Sequence, residues 1–158
     1  MFRVDKKFRR YWRNYVFQSV FAAFAIFIVL LFFNIQKRPI IIASIGSSVF
    51  IVFALPKNIT AKPKRVIGGH LAGLLCGSLS VLIPHSSLLS SLFVYSFAVG
   101  ASIFLMVVTD TEHPPASGTA LGIAVAGPSL HTIIAVIAGV ITLSLLHHFL
   151  SPYLRDLA

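Results

Sequence analysis

Residues 109–122 read Thr109-Asp110-Thr111-Glu112-His113-Pro114-Pro115-Ala116-Ser117-Gly118-Thr119-Ala120-Leu121-Gly122. The stretch holds two carboxylates, a histidine and a proline pair, yet the chain on both sides is apolar enough to sit in lipid. In hydrocarbon an unpaired backbone group is costly, so a non-helical interruption persists only where protein or water satisfies it. The reading of this stretch therefore decides how the chain crosses a bilayer.

The chain has 158 residues, 57% of them hydrophobic and 11% charged, and a mean hydropathy of +0.91. That balance belongs to an integral membrane protein with the lipid bilayer as its solvent. Charge-free runs cover residues 14–36, 39–56, 66–109 and 113–154, which are 23, 18, 44 and 42 residues long. A spanning helix needs about 20 apolar residues, so the runs hold one, one, two and two spans. Pro84-His85-Ser86-Ser87 divides the first long run and Gly127-Pro128-Ser129 the second. The fold class is thus an all-α membrane protein of about six hydrophobic segments, near 16–34, 39–56, 66–83, 88–109, 114–127 and 131–150. The first is too long and too rich in Phe, Ile and Leu for the core of a cleaved leader, so it is expected to remain as a helix.

Six of the thirteen Lys and Arg residues lie in the first thirteen positions, beside Tyr11, Trp12 and Tyr15. This is a basic flank with an interfacial anchor rather than a nucleic-acid surface. With the N-terminus in the cytoplasm, eleven basic residues fall inside and only Lys37 and Arg38 outside, which the positive-inside rule favours. The expected organisation is a flank over 1–13 and a transmembrane domain over 14–158, in a bacterial inner membrane.

Segments two and five are short, and each is introduced by proline: Pro39, and Pro114 with Pro115. Each has small polar residues where a span should be most apolar. Shifted by 72 residues, Gly46 falls on Gly118, Ser47 on Thr119, Ile51 on Ile123, Ala54 on Ala126 and Pro56 on Pro128. The chain therefore reads as an inverted repeat of three plus three segments, about 14–83 and 88–150. Paired interrupted segments are the sequence pointer to a transporter binding site. Gly69, Gly73 and Gly77 line one face of segment three, either as a packing seam within the bundle or as the seam of a homo-oligomer.

A helix beginning after Pro115 would turn the N–H groups of Ser117, Gly118 and Thr119 toward the interruption, and those of Gly46, Ser47 and Ser48 would face it from the mirror side. Helix N-termini bind anions without basic side chains. The expected substrate site is Ser44, Gly46, Ser47, Ser48, His113, Pro114, Pro115, Ala116, Ser117, Gly118 and Thr119, a neutral midplane site suited to a small inorganic anion. Asp110 and Glu112 would repel an anion and are placed at the mouth, as caps or as partners of the basic loop 57–65. His113 binds a proton with the anion or hydrogen-bonds the turn. His70, His147 and His148 read as structural or interfacial. There is one cysteine, Cys76, and no ligand cluster for a metal. No nucleophile elbow, phosphate loop or zinc-hydrolase motif is present, so neither enzymatic activity nor a cofactor is expected.

His113-Pro114-Pro115, Ala43-Ser44-Ile45-Gly46-Ser47-Ser48-Val49, Phe53-Ala54-Leu55-Pro56 and Pro63-Lys64-Arg65-Val66-Ile67-Gly68-Gly69-His70 occur together in one chain. This ordered set resembles the HPP family of small integral membrane proteins over residues 15–150. The family is described with four transmembrane helices, and the difference from six falls on the short segments two and five. Plastid and cyanobacterial members are linked to nitrite transport, so the resemblance implies a permease for nitrite or a similar anion. Gly46-Ser47-Ser48 departs from the family's commoner Gly-Ala-Ser, which bears on the substrate. The alternative is a non-transporting membrane scaffold or sensor whose polar interruptions only pack helices.

Overall fold

A computed structural model describes residues 6–33 and 38–157. Arg3 and Lys37, both used in the topology count, lie outside the described residues. The described residues form six helices: α1 Lys6–Phe33, α2 Pro39–Ala54, α3 Pro63–Ser80, α4 Leu88–Val108, α5 Pro115–Ala126 and α6 Leu130–Leu150, with a short 3-10 turn at Ile59–Ala61. No strand occurs among the described residues. From Lys6 onward the basic stretch expected as a flank is already helical, with a kink at Tyr11.

Proline sets the start of three helices. Pro39, Pro63 and Pro115 each stand in the first turn of their helix, where a missing N–H costs nothing. Ser87 and Ser129 cap α4 and α6, each side chain accepting an N–H three residues on. Gly127 ends α5 in a left-handed conformation (φ 76°) that glycine adopts without strain.

The helices alternate in direction and each runs from one end of the bundle to the other. The start of α1, the end of α2, the starts of α3 and α5 and the end of α6 share one end. There Leu157 N–H donates to Ala54 O at 2.8 Å, Tyr15 Oη to Leu157 O at 2.7 Å and His113 Nδ1 to Thr60 O at 2.8 Å. At the opposite end Arg38 donates to Ala126 O at 2.9 Å, joining the start of α2 to the end of α5. Three helices, α1, α4 and α6, are long and apolar enough to cross a membrane by length and composition. The other two apolar helices are shorter: α2 has 16 residues and α5 only 12. At 1.5 Å per residue these cover about 24 and 18 Å, less than the roughly 30 Å hydrocarbon thickness.

The apolar core joins Val29 of α1, Ile41, Ile45 and Val52 of α2, and Val136 and Val140 of α6. Phe24, Phe32, Phe93, Phe104 and Phe149 face outward, as a lipid-facing surface requires. α3 and α5 run parallel and approach more closely than side chains allow. A Cβ on Gly73 would lie 2.4 Å from Ala116 O, and one on Gly77 2.6 Å from Ala120 O. The glycine stripe is therefore a seam within the subunit.

Candidate functional site

The seam between α2, α3 and α5 carries five polar side chains shielded from the surface. Ser48, His70, His113 and Thr119 are fully buried, and Ser44 is 4% exposed. They form one chain of contacts. His113 Nδ1 lies 2.8 Å from Thr60 O, and its Nε2 lies 2.9 Å from Ser48 Oγ. Ser48 Oγ also lies 2.9 Å from His70 Nε2. His70 Nδ1 meets Thr119 Oγ1 at 2.8 Å, Thr119 Oγ1 meets Ser44 Oγ at 2.8 Å, and Ser44 Oγ donates to Pro115 O at 2.6 Å. The two imidazole rings are tilted, with centroids 5.3 Å apart.

Each member is placed by its own element. Ser44 and Ser48 are one turn apart and share a face of α2. Gly69 lets α5 come close enough for His113, whose Cβ would lie 2.8 Å from a Cβ at that position. Asn58 accepts the N–H of Thr60 at 2.9 Å, and the turn it opens presents the Thr60 carbonyl to His113. Gly118 brings α5 onto Ser44, with a notional Cβ 3.3 Å from the serine Cβ.

The structure corrects the expected donor geometry. Gly46, Ser47 and Ser48 do not open a helix. α2 begins at Pro39, so their N–H groups lie inside it, and Ser47 and Ser48 bond back to the carbonyls of Ala43 and Ser44 at 2.9 and 3.1 Å without interrupting it. Gly46 has open space beside it, and Ser47 is exposed, lining a surface hollow with Phe50, Ile51, Pro114 and Pro115. At the start of α5 one of the three expected donors is already engaged, Ser117 N–H bonding Pro114 O at 3.2 Å, next to Ala116 N–H on His113 O at 2.9 Å. Ser117 Oγ also caps Pro114 O at 2.8 Å. Pro114 is exposed, while Pro115 and Ala116 are buried. Of the eleven expected site residues, Ser44, Ser48, His113 and Thr119 meet through side chains and Pro115 through its carbonyl.

The structure makes His70, expected as a structural residue, the middle link of the chain. Its sequence signals are its place beside the glycine stripe and at the end of the Pro63–His70 motif. His147, expected as structural or interfacial, is 7% exposed, with its Nε2 on Pro56 O at 2.8 Å.

The mouth lies at the end shared by α3 and α5. Lys64 Nζ bonds Asp110 at 2.9 Å, and Arg65 pairs with both Asp110 and Glu112, so the acids meet the basic loop as expected. The hydrogen bond from Lys64 and the charge of Arg65 hold the Asp110 carboxyl below the usual carboxylate range. A hollow of about 240 Å³ opens beside it, lined by Ile103, Met106, Val107, Glu112, His113, Pro114 and Ser117. It brings one histidine of the buried chain to the edge of an accessible space.

In comparisons with known proteins, the chain is 34% identical over 85 residues to a transmembrane protein of Dictyostelium discoideum. That match spans 54% of this chain and 30% of the relative's length. No solved structure matches. The family model for the HPP transmembrane region matches residues 7–154, nearly the whole chain, and with the His-Pro-Pro turn seated at its buried polar seam the protein belongs to the HPP family of integral membrane proteins.

Proposed function

We propose that this protein carries a small monovalent anion across a bilayer, with nitrite the first candidate. The observation that carries the reading is the chain Ser44–Thr119–His70–Ser48–His113, a continuous run of five buried polar side chains where α2, α3 and α5 meet. Polar groups placed this way are expensive in a membrane and mark substrate or ion pathways. Lys62, Lys64 and Arg65 outnumber Asp110 and Glu112 at the mouth, so an approaching anion meets a net positive field. The family link to nitrite supports the choice of anion.

The proposal places the basic end of the bundle in the cytoplasm of a bacterial inner membrane, on the positive-inside rule. It treats the pair of three-helix units as an inverted repeat whose short members, α2 and α5, repack to open the seam. Binding and passage are proposed rather than catalysis. Ser48 sits mid-helix with its neighbouring N–H groups in helical bonds, so nothing is poised there to stabilise an oxyanion.

The test is flux into proteoliposomes, with nitrite, nitrate, formate, fluoride and chloride compared. Saturable, selective flux of at least one anion is expected. Gly118→Val, which forces a branched side chain against Ser44, is expected to abolish that flux while the protein still inserts. Unchanged flux in this variant would remove the α2–α5 seam from the pathway.

The second reading, a non-transporting scaffold or sensor, is favoured by one observation: the five side chains contact only one another and backbone carbonyls and turn no donor to an open cavity. No selective flux for any of the five anions would establish that reading over transport.

A further inference from the structure

The buried chain has more contacts than hydrogens to fill them. It runs between two carbonyl oxygens, Thr60 O and Pro115 O, which can only accept. Between them lie six contacts of 2.6–2.9 Å, made by five side chains: His113, Ser48, His70, Thr119 and Ser44. A neutral imidazole carries one N–H, and each hydroxyl carries one O–H. Five neutral groups therefore supply five hydrogens to six contacts.

The consequence can be followed from both ends. Thr60 O requires the hydrogen of His113 on Nδ1, so the neutral His113 Nε2 must accept from Ser48. Pro115 O requires the hydrogen of Ser44, so Ser44 must accept from Thr119, and Thr119 in turn from His70 Nδ1. His70 Nε2 then has no hydrogen, and it too must accept from Ser48. Ser48 has one hydrogen and two imidazole nitrogens at the same distance, 2.9 Å. One of those contacts sets lone pair against lone pair. The Ser44 carbonyl near Ser48 Oγ offers no relief, being another acceptor.

We propose that His70 and His113 together form a binding site for one proton, shared across Ser48, and that this proton travels with the anion. Protonation of either ring supplies the sixth hydrogen and fills all six contacts between Thr60 O and Pro115 O. The proton enters at His113 from the mouth. It passes to His70 as Ser48 gives up one hydrogen and accepts another, with no net change at the serine.

The surroundings make occupancy depend on the anion. α2 and α5 carry no ionisable side chain, α4 has only Tyr95, α3 adds Cys76, and α6 has His131, His147 and His148. No acid faces the pair from any of these helices. Asp110 and Glu112 are engaged by Lys64 and Arg65 at the mouth, and Lys62 adds a further positive charge. A lone imidazolium in this setting is costly, and a monovalent anion beside it cancels the charge. The predicted stoichiometry is one proton per anion. The coupling rests on the transport reading, while the proton site itself does not.

The count also predicts which variant no longer takes up the proton. Ser44→Ala removes one hydrogen and two contacts, leaving four contacts and four hydrogens with both histidines still fully bonded. Ser44→Thr restores the hydroxyl. In proteoliposomes with a trapped pH dye and nitrite as the probe, one proton is expected to enter per nitrite, after subtraction of nitrous acid crossing protein-free vesicles. Nitrite-driven proton entry is expected to fall to the protein-free rate in Ser44→Ala and to return in Ser44→Thr. Nitrite entry without protons in the unmodified protein overturns the coupling and leaves the transport reading standing.

If no nitrite crosses, transport fails, and the proton site is read alone by nitrogen NMR of labelled histidines in liposomes with nitrite present, from about pH 5 to pH 8. One imidazolium signal that depends on both His70 and His113 and is lost in Ser44→Ala supports the site. Two neutral rings at every pH overturn it.

Discussion

Asp110 joins a backbone requirement to an electrostatic one. Its φ of 52° is left-handed, and it follows the end of α4 in a Schellman pattern: Thr111 N–H returns to Met106 O and Asp110 N–H to Val107 O. Glycine is the usual residue there, and aspartate tolerates the conformation better than most. The carboxylate ties that turn to the start of α3 through Lys64 and Arg65. Because its folded pKa is lowered, the tie is fully present above the unfolded value of about 3.9. It is lost as pH falls through the folded value. Asp110→Asn is therefore expected to lower the thermal midpoint at neutral pH and to match the unmodified protein once both are strongly acidified. Midpoints measured across that range check the sign, and a difference that grows on acidification would contradict it.

Among elements, the α3–α5 contact decides most. Parallel helices meet here backbone to backbone because Gly69, Gly73 and Gly77 present no side chain to Ala116, Ala120 and Ile123. Dispersion across that surface takes the place of a hydrophobic drive, which is absent between helices in lipid. Gly73→Ala sets a methyl group 2.4 Å from a backbone oxygen, and backbone cannot swing away as a side-chain tip can. Its expected cost is about 1–3 kcal/mol, read as a loss of thermal stability in detergent and a smaller folded yield. Gly46→Ala meets nothing within 4 Å and is expected to be neutral, or to stabilise α2 by up to about 1 kcal/mol through helix propensity. Equal effects in the two variants would mean that close approach is not what holds α3 and α5 together.

For the whole molecule, the first and last segments are held by a clasp. Gln18, 1% exposed, donates to Phe53 O and to Arg155 O at 2.9 Å, and accepts from Arg155 N–H at 3.1 Å. One amide thereby joins α1, the end of α2 and the segment after α6. Gln18→Leu keeps the volume and strands three backbone groups, at a cost of about 1–3 kcal/mol for each group left buried and unpaired. Faster hydrogen exchange is expected at the amide of Arg155 and along the first half of α1, with α3 and α5 unaffected. Loss of protection throughout the bundle would show instead that α1 is part of the cooperative core.

The sequence by itself determined what is local. Charge spacing set the six segments, prolines and capping serines set their ends to within a few residues apart from the start of α1, and the acids at 110 and 112 called for the basic loop. Only the tertiary structure decided which faces meet. α2 and α5 are apolar or small on every side, so they offer no amphipathic stripe from which an inward face can be read. Gly46 and Ser47 consequently turned outward while Ser44 and Ser48 turned in. His70 became the central link through partners 22 and 49 residues away. A buried hydrogen-bond chain depends on distances between helices, and those follow from glycines on one helix meeting backbone on another, a relation that no single segment contains.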